Sequence, residues 1–230
     1  MVFGGIEQLA PALQPAATEV QSFCSRDVNM EGGSKPSYDW GNFMARVGAR
    51  PNSDLTATKI SNTTITQKKA EAAQIVDAVL NFLLTGLSVV MSPTNIGSLK
   101  NTIETGFKNL KQESKGFVYR TVSETSSSWE YNILFSVEVE NNADYFMSFL
   151  STFKVTADYN RKQLFGITLN SVSNYSVEIQ ATKLFVSKNF RMIFPNEVHA
   201  KISNQAHADI PKEAHANILK EVHANIPMEI

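Results

Sequence analysis

The sequence is poor in two residue types on which catalytic and disulfide-rich proteins depend, cysteine and histidine. Cys24 is the single cysteine, so no disulfide can form within the chain, and we expect a small buried apolar residue there. All four histidines lie after residue 198, which excludes a Ser-His-Asp or Cys-His arrangement and a His-ligated metal from residues 1–198. A glycine-rich phosphate loop and a GxSxG motif are also lacking. We therefore predict that the protein is not an enzyme and needs neither a cofactor nor a metal.

The chain also lacks an excess of charge of either sign. Its 21 basic and 22 acidic residues leave a net charge of −1, which does not fit a nucleic-acid-binding protein. The N-terminal stretch MVFGGIEQLAPALQP has neither the basic start nor the apolar run of a signal peptide. The most apolar window, 75–91, is interrupted by Asp77 and Asn81, which favours a buried helix over a membrane-spanning one. These features predict a soluble protein made without a recognisable signal peptide.

Period-two alternation of apolar and polar residues is the strongest positive signal. In WEYNILFSVEVE, residues 129–140, the alternation runs well beyond the five or six residues of an ordinary strand. Strands predicted at 144–158 and 174–186 alternate in the same way. Their shared apolar face consists of Trp129, Tyr131, Ile133, Phe135, Val137, Val139, Tyr145, Met147, Phe149, Phe153, Val155, Tyr175, Val177 and Ile179. Periodicity alone does not distinguish a half-buried sheet from strands that later meet lipid, for which roughly nine to eleven residues suffice.

A strand and a long helix precede this region. Residues 55–65 are rich in Thr and Ile and read as a strand. A helix that opens at Thr66 or Gln67 should end before Pro93. The apolar residues expected on the face of this helix and of the next one are Val76, Val79, Leu80, Leu83, Leu84, Leu87, Ile103 and Phe107. If Asp77 and Asn81 were buried against a sheet they would weaken helix packing, whereas in solvent they would be neutral.

The next elements complete an α+β pattern. A second helix, 96–112, should begin with Thr94 or Asn95 as its cap and form an antiparallel hairpin with the first. Further strands are predicted at 116–123 and 163–171, with short polar connectors that favour antiparallel neighbours. Helices followed by a run of strands predict one α+β domain in which helices cover the sheet.

The two ends of the chain follow other patterns. Residues 18–24 and 40–47 read as short helices. The last 32 residues are a tandem octapeptide repeat, and its histidines recur every eight residues at His199, His207, His215 and His223. This spacing does not match that of zinc ligands, so a disordered tail over 195–230 is favoured over metal, lipid or partner binding.

Several stretches resemble the Cyt-type insecticidal delta-endotoxins and their mushroom relative, the pore-former volvatoxin. They are EYNILFSVEVENN (130–142), QLFGITLNSVSNYSVEIQATKLF (163–185), ITQKKAEAAQIVDAVLNFLLTG (65–86) and LKNTIETGFKNLKQESKGFVYR (99–120). The resemblance covers about residues 56–187. It implies a single domain in which helix hairpins wrap around a mostly antiparallel sheet.

On this resemblance the chain divides into a Cyt-like cytolysin domain, 1–194, and the tail, 195–230. The domain would comprise an N-terminal layer (1–55), a strand with a helix hairpin (56–114) and a long-strand sheet (115–187).

The resemblance also implies cytolysis without enzymatic chemistry. Such a toxin would act extracellularly, bind phospholipids of target cell membranes, release its helices from the sheet and self-associate on the membrane. The apolar strand face given above would be the membrane-inserting one, and the helix face would cover it until release. A non-lytic lipid- or glycan-binding defence protein on the same fold is the alternative, and an enzyme with a carboxylate site is the least favoured reading.

Overall fold

The computed structural model describes residues 1–28, 38–50, 53–108, 118–123, 125–140, 142–160, 163 and 166–192. Met1–Arg191 belong to one compact unit. The predicted tail, 195–230, lies outside the described residues, as does the predicted helix end at 109–112.

Among the described residues of this unit there are four α-helices and seven strands. In chain order they are β1 (Val2–Gly4), α1 (Gln14–Ser25), α2 (Trp40–Gly48), β2 (Leu55–Ala57), β3 (Ser61–Glu71), α3 (Ala72–Gly86), α4 (Pro93–Lys108), β4 (Val118–Ser123), β5 (Ser126–Val139), β6 (Asn142–Ala157) and β7 (Val172–Ser187). The short helices predicted at 18–24 and 40–47 are thereby confirmed as parts of α1 and α2. The predicted strands near 128–141, 144–158 and 174–186 are confirmed as β5, β6 and β7.

The sheet is built on these three long antiparallel strands, in the order β5-β6-β7. The outer edge of β5 is paired with β4 near one end and with β1 near the other, and β1 runs parallel to it. The outer edge of β7 is shared in the same way by β3 and β2. The mostly antiparallel α+β domain expected from the sequence is therefore confirmed.

Helices cover both faces of the sheet. The α3–α4 hairpin packs on one face and forms with it a continuous apolar core. On the other face α1 contacts β5 and β7, and buried apolar side chains replace the solvated surface expected for part of this face. The buried apolar side chains that β5, β6 and β7 contribute to this second face are Leu134, Phe146, Leu150, Leu184 and Val186. The second face of β5 is thus buried at Leu134 and Ser136 but exposed at Glu138.

The first helix of the hairpin begins later than predicted, at Ala72 rather than near Thr66. Residues up to Glu71 instead extend β3 and pair with β7, with a register break between Gln67 and Ala70. Sheet pairing along an open edge outweighs the helix propensity of this Gln-, Lys- and Ala-containing segment. The helix then starts with a capping box, in which the Glu71 amide donates to the Gln74 side chain at 2.9 Å.

The start of the second helix also differs from the prediction. α4 begins at Pro93, a residue suited to the first helical position, and its cap is Ser92 rather than Thr94 or Asn95. The Asn95 amide donates to Ser92 Oγ at 3.2 Å. An exposed ion pair between Asp77 and Lys100, 2.8 Å apart, links α3 to α4.

The strand predicted at 163–171 is wrong for the described residues of that segment. They form turns, and Ile167 is buried in the core. The carbonyl groups of Leu169 and Ser171 accept hydrogen bonds from the first two amides of α3, each at 3.0 Å. This loop satisfies helix-terminal amides that would otherwise lack partners, and that role is incompatible with strand pairing.

Candidate functional site

The apolar face of β5, β6 and β7 is buried beneath the α3–α4 hairpin, and we call it the hairpin-covered face. Of the strand residues predicted on it, those at most 2% exposed are Trp129, Tyr131, Ile133, Phe135, Val137, Phe149, Phe153, Val155, Tyr175, Val177 and Ile179. Val139 and Met147 are half-buried. Tyr145 lies on the same face but beyond the helices, and it is 43% exposed. The structure thus brings all but the end of the predicted face together.

The apolar residues predicted on the face of the two helices, here called the helix seam, form the surface that covers the strands. Seven of its eight residues are buried in the shared core, and Leu84 is half-buried against it. Aromatic rings join the two surfaces, because Phe107 meets Trp129 edge-on at 5.8 Å and Tyr131 edge-on at 6.3 Å. Such ring pairs add to the stabilisation that burial alone provides.

Helix α4 approaches β5 closely at Gly106. A Cβ atom built on this glycine would lie 2.8 Å from Cδ2 of the Tyr131 ring. Because real side chains do not tolerate that distance, glycine allows the helix to sit directly on the aromatic ring. Gly97, in the same helix, faces open space.

Polar atoms interrupt this largely apolar core. Ser151 Oγ is buried between strand neighbours Ile133 and Ala181, and it has no hydrogen-bond partner among the described residues. Trp129 Nε1 is likewise buried without a partner in the described part of the chain. Burial raises the pKa of the Tyr131 phenol well above its usual range. The unpaired polar atoms of Ser151 and Trp129 each lower the stability of the protein with the hairpin in place.

One charged side chain, Lys183, extends from β7 on the hairpin-covered face. It pairs across the strands with Phe149, and its Nζ donates to the Leu87 carbonyl at 3.0 Å, at the C-terminal end of α3. A cation at this end of a helix is favoured by the helix dipole. The contact holds the C-terminal end of α3 on the sheet.

A second buried polar cluster lies between α1 and α2. The Asp27 carboxylate accepts hydrogen bonds from Arg46 and, at 2.9 Å, from Asn42. Burial outweighs these contacts and raises the pKa of Asp27 above its usual value. Cys24 nearby is fully buried, as expected, and burial raises the pKa of its thiol. These groups hold the N-terminal layer together.

Neither a metal site nor a membrane-spanning helix emerges from the part of the chain that the structure describes. Its His, Cys, Asp and Glu side chains form no cluster of three or more suited to a metal ion. Its helices are too short or too polar to cross a bilayer. What distinguishes the molecule is therefore the hairpin-covered face.

Comparison with known proteins identifies the family of this chain. The family model described as "Bacillus thuringiensis toxin" matches residues 46–199, about two thirds of the chain. The chain belongs to this family. The curated relatives it matches are cytolytic delta-endotoxins, as the sequence resemblance implied.

Two of these relatives show how low the sequence identity is. The type-2Bb cytolytic delta-endotoxin of Bacillus thuringiensis subsp. jegathesan is 26% identical over 169 residues, which are 71% of this chain and 64% of the relative. The type-2Ba protein of subsp. israelensis is 26% identical over 134 residues, 57% of this chain and 50% of the relative. The chain thus matches about half to two thirds of the length of these family members.

The fold is that of solved family members. The crystal structure of the activated Cyt2Ba monomer from Bacillus thuringiensis subsp. israelensis superposes with a TM-score of 0.69 at 20% identity, covering 81% of this chain and 96% of that chain. A second structure, described as a delta-endotoxin, gives the same TM-score and identity and covers 82% of both chains. Delta-endotoxin architecture therefore persists here at low identity.

Sequence reasoning missed Lys183 and Gly106. Lys183 breaks the apolar alternation of β7 after Ala181, and that single interruption was a readable signal. Gly106 gave none, because a glycine inside a helix pattern does not reveal which side chain it faces.

Proposed function

We propose that this member of the toxin family permeabilises membranes. It binds a phospholipid bilayer, its helical layers undock beginning with the α3–α4 hairpin, and several copies assemble so that β5, β6 and β7 enter the bilayer. The hairpin-covered face, with the predicted membrane-inserting residues, then faces lipid. The observation that carries the proposal is this long, almost uncharged strand face stored beneath a separable helix pair.

The lengths of the strands support this proposal. β5 has 14 residues, and β6 and β7 have 16 each, whereas a bilayer-crossing strand needs roughly nine to eleven. Three strands cannot pair all of their backbone groups inside lipid, because the outer edges of β5 and β7 remain open. Insertion therefore requires other copies of the chain, which is why self-association belongs to the proposal.

The opposite face of the strands supports it in part. Asn132, Thr152 and Gln180 lie side by side across β5, β6 and β7, and next to them Lys154 and Glu178 form an ion pair at 2.5 Å. Such a row suits an aqueous surface. Gln180 and Glu178 are already exposed, and the N-terminal layer contacts the row at Thr152, whose Oγ1 accepts from the Trp40 indole at 3.3 Å.

Helix release is energetically plausible because lipid replaces the helices as the apolar neighbour. Fully burying a large apolar side chain is worth about 1.5–3 kcal/mol, whether the neighbour is a helix or an acyl chain. The exchange is therefore close to balanced, provided that the seam of the released hairpin also reaches lipid. α3 and α4 contribute to the same apolar core, so that they leave as one amphipathic unit.

Dye release from phospholipid vesicles tests the proposal, with the full chain and a chain ending at Phe194 compared at equal concentration. Release by either chain supports lytic activity, and the difference between them measures what residues 195–230 contribute. Vesicle flotation, run in parallel, measures binding. Binding without release would favour the non-lytic defence protein, and no binding would reject the proposal.

A further inference from the structure

How deep β7 enters the bilayer depends on where its charged side chain lies, and an inference about this depth rests on the proposed function. Among the described residues of β5, β6 and β7 on the hairpin-covered face, Lys183 is the charged one. Below it on β7 the face is apolar from Tyr175 through Ala181. Above it on the same face lies Phe185, which is 38% exposed.

Beyond Lys183 on this face, Phe185 and Tyr145 already lie outside the helical cover. Phe185 pairs with Met147 on β6, and Tyr145 pairs with Ser187 one pleat further along. Since Lys183 binds the carbonyl at the end of α3, both aromatic side chains lie beyond the end of that helix. The Lys183 ammonium stands 5.4 Å from the centre of the Phe185 ring. An aromatic and cationic surface is thus available before any helix moves.

The location of a charge on a lipid-facing strand is constrained. A lysine is costly at the bilayer midplane and nearly neutral at the lipid–water boundary, where aromatic side chains are also favoured. If the hairpin-covered face meets lipid, Lys183 must therefore lie at the boundary. Helix release would remove its partner, the Leu87 carbonyl, and a phosphate oxygen of a lipid headgroup can replace that acceptor.

We propose that Lys183, Phe185 and Tyr145 form the headgroup-binding belt of this protein and set the depth to which β7 enters the bilayer. The bilayer-crossing segment of β7 then runs from Tyr175 to Lys183. Those nine residues match the lower limit of about nine to eleven for a spanning strand. The phosphate oxygens of the headgroups are the ligand of this belt.

The other end of the apolar face carries matching aromatic residues. Tyr175 pairs with Ala157 near the start of β7, and Trp129 lies on β5 near its own start. Both are fully buried under the hairpin in the closed protein. Aromatic residues at both limits of an apolar strand face are the arrangement seen at the two interfaces of a membrane. The proposal therefore assigns Trp129 to the second boundary.

Depth-dependent quenching of single tryptophans tests this assignment. Three proteins each carry one tryptophan: Trp129 alone (Trp40→Phe), position 185 alone (Phe185→Trp, Trp40→Phe, Trp129→Phe) and position 153 alone (Phe153→Trp with the same two removals). Each is added to vesicles of equal parts phosphatidylcholine and phosphatidylserine that carry a nitroxide either near the headgroup or deep in the acyl chain. We expect the shallow probe to quench positions 129 and 185 best and the deep probe to quench position 153 best.

Substitutions of Lys183 then test whether this side chain sets the depth of β7. Lys183→Leu should move position 185 towards the deep probe, whereas Lys183→Arg should leave it shallow. Lys154→Leu, on the opposite face of β6, is the matched control and should not change the depth at 185. Thermal unfolding in solution, before vesicles are added, verifies that each variant folds.

The outcomes separate the two claims. If the deep probe quenches position 185 as well as position 153, the belt is overturned and the proposed function stands. The same holds if Lys183→Leu does not change the depth of position 185. No quenching at 153 would mean that the strands do not enter lipid, which would overturn the proposed function and the belt with it.

Discussion

Gly106 of α4 lies directly against the aromatic ring of Tyr131 on β5. A Cβ atom at this glycine would be 2.8 Å from Tyr131 Cδ2, so the helix rests on the sheet without a side chain between them. Tyr131 is also stacked on Phe153 of β6 at 4.9 Å and therefore cannot easily turn away. The fit of the hairpin on the sheet depends on the absence of a methyl group at this position.

Gly106→Ala should loosen that fit. The added methyl group must displace Tyr131 or the helix, and overpacking of this kind costs about 1–3 kcal/mol. If hairpin release limits lysis, the substitution should lower the urea midpoint and speed dye release by up to about tenfold, since about 1.4 kcal/mol corresponds to a factor of ten.

Gly97→Ala is the matched control, because this glycine belongs to the same helix but faces open space. Alanine should raise helix stability there by up to about 1 kcal/mol and leave dye release unchanged or slightly slower. Equal effects of the two substitutions on release would show that contact with Tyr131 does not govern it.

Two buried serines of β6 should respond in opposite ways to alanine. Ser151 Oγ lacks a partner among the described residues, so Ser151→Ala should stabilise the protein by about 1 kcal/mol. Ser148 shares a 2.8 Å hydrogen bond with Ser136, so Ser148→Ala should destabilise it by about 1 kcal/mol and leave Ser136 unpaired. Chemical unfolding of both variants measures the difference, and a destabilised Ser151→Ala protein would contradict the assignment.

The ion pair within the hairpin should matter little. The side chains of Asp77 and Lys100 are 54% and 40% exposed, and ion pairs as exposed as this contribute about 0–1 kcal/mol to the free energy of unfolding. Asp77→Asn should therefore leave the unfolding midpoint and the dye-release rate nearly unchanged. A large gain in lysis would mean that separation of α3 from α4, rather than release of the pair from the sheet, is the controlling step.

Asp27 should make stability depend on pH. Burial raises the pKa of Asp27 in the folded protein above the ordinary 3.8 despite the contacts with Arg46 and Asn42, and the negative charge of Asp39 raises it further. The folded protein therefore holds a proton that the unfolded chain has lost, and this contribution is full below pH 3.8 and disappears as pH rises through the folded pKa. Relative to Asp27→Asn, the native protein should lose stability as pH rises from about 3.8, measured as urea midpoints at several pH values. A gap between the two proteins that widens in favour of Asp27 would contradict this sign.

Sequence periodicity was sufficient for the long strands and for the faces of the hairpin. Alternation in β5, β6 and β7 survives because their hairpin-covered face is one continuous core. It was insufficient where tertiary pairing overrides local preference, as in the Thr66–Glu71 segment, which joins β7 rather than starting α3. The turns after Gly166 were misread as a strand because their apolar residues Ile167 and Leu169 pack on the core from a loop.

The second face shows a different limit. Phe146 and Leu150 stand out in the sequence, yet nothing local indicates that α1 covers them or that β1 joins β5 in parallel. Long-range pairings of short strands carry almost no sequence signal. In the same way, the exposure of Tyr145 depends on where α3 ends, and this is fixed in space by the Lys183–Leu87 contact.

The central claim is that the α3–α4 hairpin must leave the sheet before the membrane is damaged. A disulfide between the substitutions Gly106→Cys and Tyr131→Cys, in a Cys24→Ala background, would lock the two together. A Cβ atom at Gly106 would lie 2.8 Å from Tyr131 Cδ2, and a disulfide between the two positions requires a Cβ separation of about 3.5–4.5 Å. The measurement is dye release from phospholipid vesicles by the oxidised protein, before and after a reductant is added, with the two single-cysteine proteins as controls. The account predicts no release while the disulfide is closed and release once it is reduced. Equal release in both states, with the disulfide verified as closed, would contradict it.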